Sequence, residues 1–315
     1  TVLAKEAGLE LGIKESIVVN DRMETSVPDI YAAGDAVQVK HYVTGNDALI
    51  SLAGPANKQG RIIADNICGG DSRYLGSQGS SVIKVFDMIA ATTGINETNA
   101  KKSGLEVDTV ILSPMSHAGY YPGGKVMTMK VVFEKESYRL LGAQIIGYEG
   151  VDKRIDVLAT AIHAGLNATQ LKDLDLAYAP PYSSAKDPVN MAGFMIDNIA
   201  KGTLKQWHLE DMDKISKDKD VELLDVRTVG EFSRGHIDGF KNIPVDELRE
   251  RISEIEKGKP VYLICQSGLR SYIASRILEG NGCETYNFSG GFRFYDAVVN
   301  DRALIERAYA CGMDY

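Results

Sequence analysis

One short stretch near the C-terminal side of the chain combines a strand, a tight loop and a helix. Residues 261–278 read VYLICQSGLRSYIASRIL, in which the apolar run VYLIC is typical of a buried strand. SYIASRIL has apolar residues at helical spacing and predicts a helix that follows almost at once. ELLDV and ETYNFSGG predict two more strands around it. Because strands alternate with helices here, we expect a parallel α/β sheet.

The cysteine at the end of this strand is the main candidate for chemistry. Ligands in open α/β sheets bind at the carboxyl ends of strands, where Cys265 lies. The following helix directs free N–H groups at the loop, and successive loop amides add donors. With Arg270, these donors favour the thiolate, and the small residues Ser267 and Gly268 allow a tight curl. The alternative is a buried core cysteine, with Arg270 as a surface charge.

The rest of the chain divides into three predicted regions, residues 1–69, 70–203 and 204–315. The first contains a short strand in SIVVN and a helix from about Gly54 to the Gly-Gly pair that ends it. The second contains a hairpin around EKESYR, a short helix opened by Asn96 or Thr98, and two amphipathic helices. In the third, HLEDMDKISKDKD and DELRERISEIEKG are predicted to be helices.

Composition excludes several classes of protein. The net charge is −8, and the sequence has no basic stripe, so nucleic acid is not an expected partner. No run of 18 or more apolar residues predicts a membrane span, and no signal peptide is recognisable. The four cysteines (Cys68, Cys265, Cys283 and Cys311) lie far apart, which argues against a disulfide scaffold or a metal site. We expect a cytoplasmic protein.

The third region resembles a rhodanese domain. LLDVRTVGEFSRGHIDGFKNIP is similar to the upstream signature of that family, and CQSGLRS is similar to its active-site loop. The resemblance implies that Cys265 carries a persulfide and that Arg270 helps to hold an anionic substrate. The loop that cradles sulfur would comprise Gln266, Ser267, Gly268 and Leu269. Phosphatases of the same fold place five residues between the cysteine and the arginine, whereas this chain places four.

Four charged or titratable residues of the upstream signature are expected to brace the rhodanese fold. They are Asp225, Arg227, Glu231 and His236. We expect a bracing role because paired charges near a core usually serve the fold.

The first region resembles the second flavin-binding motif of the disulfide oxidoreductases that have two dinucleotide-binding domains. The motif is TSVPDIYAAGDA, in which a strand would bring Asp35 to a ribityl hydroxyl of FAD. The alternative is an Asp that caps the next helix. ISLAGPANKQGR resembles the helix beside the flavin in the same family, which implies that Leu52 and Ala53 lie near the isoalloxazine ring.

Residues 70–203 look like the dimerisation domain of the same family, which implies a homodimer. DLAYAPPYSSAKDPVNMAGF is similar to the branch that contains coenzyme A-disulfide reductase, where two tyrosines reach the partner's flavin-side cysteine. The matching positions are Tyr178 and Tyr120, with Tyr121 as a rival for the second. A tyrosine hydroxyl could donate a proton to a developing thiolate there. Alternatively, these tyrosines simply pack at an interface.

Together the three regions resemble the rhodanese-fused coenzyme A-disulfide reductases. The resemblance implies an α/β multidomain fold: a partial FAD-binding domain, an α+β dimerisation domain and a doubly wound rhodanese-like domain. It also implies FAD, NAD(P)H as electron donor, and coenzyme A as substrate or bound ligand. The substrates would be small disulfides, persulfides or polysulfides. No G-x-G-x-x-G turn is present, so we expect the C-terminal portion of a longer enzyme whose flavin-side cysteine lies elsewhere.

Two other functions stay open at this point. The rhodanese region could be an independent sulfurtransferase that acts on thiosulfate or small persulfides. The chain could also be a non-catalytic module that dimerises and stores sulfur on Cys265.

Overall fold

The computed structural model describes residues 2–310, with side-chain detail for residues 2–301. Cys311 lies outside the described residues. Three separate sheets organise the chain, and each sheet lies within one of the three predicted regions. The exact boundaries between these regions stay predictions.

The first region has short elements and a small core. In chain order they are α1 (Val2–Glu6), β1 (Ile17–Val18), β2 (Val37–Lys40), β3 (Asp47–Ala48) and α2 (Ala53–Ile67). Strand β2 pairs with β1 in parallel and with β3 in antiparallel orientation. The buried residues of the small core cluster are Met23, Val37 and Val39. Leu3 is 81% exposed and Ile67 64%, so much apolar side-chain area stays in contact with solvent.

The middle region is an antiparallel sheet covered by helices on one face. Its elements are β4 (Ser81–Val85), β5 (Met88–Gly94), α3 (Glu97–Lys102), β6 (Val107–Leu112), β7 (Thr128–Glu134), β8 (Leu140–Gly147), α4 (Val151–His163) and α5 (Pro188–Ala200). The strand order is β4-β5-β8-β7-β6. Helices α4 and α5 pack on the sheet and close the largest apolar cluster of the chain. The predicted β7–β8 hairpin and the cap of α3 by Asn96 are confirmed.

A buried ion pair ties the loops of the middle region together. Arg154 on α4 is 1% exposed, and its Nη2 lies 3.0 Å from the carboxylate of Asp187. The same Nη2 donates to the carbonyl of Ser116 at 3.0 Å, so one guanidinium joins α4 to two loops. Asp187 also accepts from the hydroxyl of Ser183 and caps α5 through the amide of Val189. A buried charge needs such complete pairing, because leaving it unpaired costs several kcal/mol.

The C-terminal region is a doubly wound parallel sheet, as predicted. Its elements are β9 (Gln206–Trp207), α6 (Met212–Ile215), β10 (Glu222–Asp225), α7 (Val229–Arg234), β11 (Lys241–Asn242), β12 (Val261–Ile264), α8 (Leu269–Glu279), β13 (Thr285–Phe288) and α9 (Gly291–Ala310). All strands are parallel, in the order β11-β10-β12-β13-β9. Leu263 and Ile264 point into different apolar clusters, so both faces of β12 are covered.

Two of the helix predictions in this region were wrong, one in the type of structure and one in its length. Residues 246–258 form turns and a short 3-10 segment, Ile252–Glu254, in place of a regular helix. Leu248 and Ile255 are buried, so packing against the core has overridden the helical spacing of the sequence. In the other segment the α-helix is limited to Met212–Ile215, and both of these end residues are buried in the core beside Trp207.

The middle and C-terminal sheets are joined by polar contacts at their edges. Gln206 on β9 donates to Asp108 on β6 at 3.0 Å and to the carbonyl of Thr109 at 2.8 Å. His208 Nε2 lies 3.0 Å from the other carboxylate oxygen of Asp108. Burial raises the pKa of Asp108, but the contacts with His208, the Thr109 amide and Gln206 together outweigh it, and the pKa is lowered overall. The carboxylate therefore stays charged at the junction of the two sheets.

We expect the Arg154–Asp187 pair to contribute strongly to the free energy of unfolding. Arg154→Met keeps an apolar stem but leaves the carboxylate of Asp187 buried without its main partner. We expect the free energy of unfolding in urea to fall by about 3–5 kcal/mol. Arg251→Met is the control, since Arg251 pairs with Glu254 on the surface and should cost less than about 1 kcal/mol. Equal losses in the two variants would contradict the bracing role of Arg154.

Candidate active site

The sulfur of Cys265 lies among hydrogen-bond donors at the end of β12. Its Sγ accepts from the backbone amide of Gly268 at 3.1 Å and from the hydroxyl of Ser271 at 3.2 Å. Cys265 is 1% exposed and Ser271 is fully buried. Donors that face a sulfur atom in a water-poor site stabilise its anionic form. The predicted loop geometry is therefore present, and Ser271 is a contributor that sequence reasoning missed.

The conformation of Gly268 aims its amide at the sulfur. Its φ is +99°, a left-handed conformation that glycine adopts without strain, and helix α8 begins at the next residue. The carbonyl of Gly268 accepts from Asn287 at 3.1 Å, while Ser271 lies close enough to donate to this carbonyl instead of the sulfur. Asn287 lies on β13, so the neighbouring strand helps to fix the loop. A side chain at position 268 would add strain to this turn.

The first turn of α9 packs against the cysteine loop. The amide of Phe292 donates to the carbonyl of Cys265 at 2.8 Å, and the amide of Arg293 donates to that of Gln266 at 3.1 Å. A Cβ at Gly291 would lie 2.7 Å from both the carbonyl oxygen of Gln266 and the amide nitrogen of Ser267. Only a glycine fits so close an approach. The Gly-Gly pair at the start of α9 was the sequence signal for this contact, and it was not recognised.

The side chain of Arg270 forms an ion pair with a carboxylate. Its Nη1 and Nη2 each lie 2.7 Å from an oxygen of Glu231, an arrangement with two parallel hydrogen bonds. The bond from Arg270 lowers the pKa of Glu231 to about 2. Glu231 also accepts from Thr228 and completes the cap of α7. The expectation that Glu231 only braces the fold was therefore incomplete, because it binds the arginine of the cysteine loop.

The other signature residues divide into a buried brace and a surface stack. Arg227 and Asp225 form a buried pair with atoms 2.7 Å apart, which agrees with a bracing role. The guanidinium of Arg227 lies 3.8 Å from the ring centroid of Phe292. His236 is exposed and stacks on Phe232 at 4.0 Å, so it does not brace the fold through a charge pair.

The remaining loop residues surround Cys265 in the predicted order. Gln266 accepts from Arg227 at 3.4 Å, which links the loop to the buried pair. Ser267 is half-buried, and Leu269 is 66% exposed at the start of α8. The structure thus brings all six residues from Cys265 to Arg270 into one turn, with the sulfur on its inner side.

The two predicted tyrosines meet in the middle region. The hydroxyls of Tyr120 and Tyr178 lie 2.6 Å apart, although the residues are 58 positions apart in the sequence. Both are exposed, Tyr120 to 76% and Tyr178 to 45%. The bond with Tyr120 raises the pKa of Tyr178. Tyr121 instead makes an edge contact with the ring of His117, so Tyr120 is the one paired with Tyr178.

A cavity of about 540 Å³ adjoins Tyr178. Lys153, Glu149 and Tyr182 contribute to its wall. Arg154 also lines it, and its bonds hold the two loops that carry the paired tyrosines. The position of the tyrosine pair therefore depends on the buried ion pair beneath it.

The predicted flavin residues lie around the start of α2. Asp35 belongs to a 3-10 turn, Gly34–Ala36, that precedes β2, so the expected strand before it is not formed. Its carboxylate is exposed and has no hydrogen-bond or ion-pair partner within residues 2–301, so it does not cap a helix. The turn is fastened to α2 by a 2.7 Å bond from the amide of Gly34 to Gln59.

The start of α2 also fits a bound polar group. Leu52 is the N-cap, and no side chain caps this end of the helix. Leu52 is half-buried, and Ala53 is exposed. Free amides beside an unpartnered carboxylate can bind the oxygen atoms and hydroxyl groups of a flavin nucleotide. These residues therefore fit the FAD that the sequence resemblance implies.

Within the part of the chain that the structure describes, no group of three or more His, Cys, Asp or Glu side chains is arranged to hold a metal ion. Nor is any helix in that part long and apolar enough to cross a membrane.

Comparison with protein families matches three consecutive parts of the chain. Residues 1–60 match the pyridine nucleotide-disulphide oxidoreductase model, and residues 80–188 match the dimerisation domain of the same enzymes. Residues 208–297 match the rhodanese-like domain. The order of the matches agrees with the three regions predicted from sequence motifs.

Curated relatives match about three fifths of the chain. The NAD(P)H sulfur oxidoreductase (CoA-dependent) of Pyrococcus abyssi is 38% identical over 187 residues, which is 59% of this chain and 42% of the relative. The coenzyme A disulfide reductase of Staphylococcus aureus is 36% identical over 191 residues, which is 60% of this chain and 43% of the relative. The chain thus spans less than half the length of these relatives.

Two solved structures match nearly the whole chain. The reduced CoADR-RHD of Bacillus anthracis is 48% identical, with a TM-score of 0.92 over 95% of this chain and 54% of that one. The NAD-dependent persulfide reductase of A. fulgidus is 42% identical, with a TM-score of 0.86 over 94% of this chain and 53% of that one. The fold predicted from the sequence is confirmed by these two structures.

We expect the contact between Ser271 and Cys265 to increase the reactivity of the Cys265 thiol. Ser271→Ala removes one of the two donors that face Sγ. A hydrogen bond to a charged group contributes about 1.5–3 kcal/mol, so alkylation of Cys265 by iodoacetamide at neutral pH should slow roughly tenfold or more. Peptide mass spectrometry separates Cys265 from the other cysteines.

Ser275→Ala is the matched control for this measurement. Ser275 lies on the same helix, and its hydroxyl bonds the carbonyl of Tyr272 at 2.7 Å, away from the sulfur. The control should alkylate at the wild-type rate. If Ser271→Ala does so as well, the hydroxyl of Ser271 does not stabilise the thiolate.

Proposed function

We propose a function from one premise: the chain belongs to the pyridine nucleotide-disulphide oxidoreductases, and it carries a rhodanese-like domain on its C-terminal side. The chain takes part in the reduction of coenzyme A disulfide, persulfide or polysulfide substrates by FAD and NAD(P)H. Cys265 carries sulfane sulfur in that reaction. The observation that carries this proposal is the sulfur atom itself, held at a strand end by the amide of Gly268 and the hydroxyl of Ser271.

The chemistry of Cys265 follows from these contacts. The thiolate attacks the outer sulfur of a small persulfide, forming a new Sγ–S bond while the S–S bond of the donor breaks. The electron pair leaves with the donor thiolate, which takes a proton from solvent. The amide of Gly268 lowers the energy of the attacking anion, and the buried setting of the loop excludes competing water.

In the proposed reaction, the flavin region and the tyrosine pair take part in the reduction of the substrate. Asp35 and the start of α2 would hold FAD, which would supply hydride chemistry with NAD(P)H when bound. Tyr178 and Tyr120 share a hydrogen bond and reach a thiolate that develops on a substrate or on a cysteine outside this chain. One hydroxyl can then donate a proton while the other replaces it.

An apolar face of the middle sheet supports a homodimer. Ile83 pairs with Ala90 and Ala90 with Ile146, so these side chains lie on one face of neighbouring strands. Ile83 is 59% and Ile146 50% exposed, and Phe86 at the hairpin tip is 94% exposed. An exposed apolar face of this kind is typical of a protein interface. We propose that a second copy of the chain covers it.

The dimer proposal can be tested by introducing charged residues on that face. Ile83→Lys combined with Ile146→Lys places two charges among apolar side chains, and we expect a dimer in the wild type and a monomer in the double variant by sedimentation. Val229→Lys is the control, because Val229 is 63% exposed on the C-terminal domain. A double variant that remains dimeric shows that the interface lies elsewhere.

Sulfur loading of Cys265 is tested by intact mass. After incubation with glutathione persulfide, the wild type should gain one sulfur atom, ~32 Da, and Cys265→Ser should gain none. Cyanide should remove the added mass as thiocyanate. In the full-length reductase, Cys265→Ser separates a coupled reductase from an independent sulfurtransferase: if the domains are coupled, the variant loses persulfide turnover and keeps simple disulfide reduction. A wild type that gains no mass contradicts the carrier role.

A further inference from the structure

Arg227 of the upstream signature and Arg270 of the cysteine loop are both already paired with a carboxylate. Arg227 is held by Asp225 in the core, and Arg270 is held by Glu231 at the side of the cysteine loop. Arg293 approaches the loop through its backbone amide, while its side chain is exposed. The loop therefore presents little uncompensated positive charge of its own.

The Arg270–Glu231 pair is only partly shielded from solvent. The side chain of Arg270 is 31% exposed and that of Glu231 22% exposed, whereas the Arg227–Asp225 pair is almost completely buried. The Arg270–Glu231 pair is thus accessible to an incoming anion. Because the pKa of Glu231 is held at about 2, the carboxylate keeps its charge at neutral pH. An anion that seeks Arg270 has to displace a carboxylate that makes two hydrogen bonds and also repels it.

We propose that Glu231 is a specificity-determining residue that makes the Cys265 loop select small persulfides over thiosulfate as sulfur donors. The inference rests on the proposed function, in which Cys265 carries sulfane sulfur. Glu231 acts through Arg270 by cancelling the charge that would otherwise attract a dianion. Without this carboxylate, Arg270 would be free to bind a doubly charged donor beside the thiol.

The two donors make different electrostatic demands on the loop. With thiosulfate, the Cys265 thiolate bonds to the outer sulfur, the S–S bond breaks, and its electron pair leaves on sulfite, a dianion. With a persulfide, the same bond forms and breaks, but the pair leaves on a thiolate that is protonated by solvent. A neutralised arginine offers little to the first leaving group and is not needed for the second.

The experiment compares the rates of sulfur loading from the two donors. The wild type and Glu231→Gln are incubated with thiosulfate or with glutathione persulfide, and the gain of mass on Cys265 is followed over time. Glutamine at this position can still complete the cap of α7, so the fold is expected to be kept. We expect the rate ratio of thiosulfate to persulfide to rise roughly tenfold or more in Glu231→Gln. Added salt should lower the gain, because it screens the freed charge.

Glu254→Gln is the matched control. Glu254 makes the same two-bond pair with Arg251, and its pKa is also lowered to about 2, but Arg251 and Glu254 belong to the segment between β11 and β12. The donor ratio of this variant should equal that of the wild type. An unchanged or lower ratio in Glu231→Gln, with loading from persulfide intact, overturns the inference alone. Failure of the wild type to load from either donor overturns the proposed function instead.

Discussion

The buried ion pair between Arg227 and Asp225 is the contact on which the geometry of the sulfur site depends. Asp225 ends β10, next to β12 and its cysteine. From there the guanidinium of Arg227 bonds the side chain of Gln266 and stacks on Phe292, whose amide in turn holds the carbonyl of Cys265. One fully desolvated charge pair thus fixes both loops that enclose the sulfur. Removing either partner would leave a buried charge without compensation.

The chain uses the same chemical pair, arginine with carboxylate, in buried and in partly exposed settings, with different consequences. Arg154 with Asp187 and Arg227 with Asp225 are almost fully buried, so their task is to hold loops in place. The pair of Arg270 with Glu231 is partly exposed beside the cysteine loop, where an anion can compete with it. Burial therefore decides whether such a pair organises the fold or adjusts the chemistry of the loop.

Local patterns predicted the strand, the cysteine loop, the parallel sheet and the hairpin, because each depends on residues close together in sequence. The missed features depend on tertiary contacts. Glu231 reaches Arg270 across 39 positions, and Gly291 approaches Gln266 from another loop. Residues 246–258 have the spacing of a helix, yet burial of Leu248 settles them as turns. The spacing of apolar residues along the sequence does not reveal contacts between distant segments.

The junction between the middle and C-terminal sheets fixes how the two sheets meet. Asp108 binds both Gln206 and His208, so the middle sheet and the sheet that carries Cys265 are connected edge to edge. Swinging one sheet away from the other would break these charge-assisted bonds and expose a carboxylate that is now partly buried. The tyrosine pair and the Cys265 loop therefore belong to two regions of the chain that one carboxylate joins.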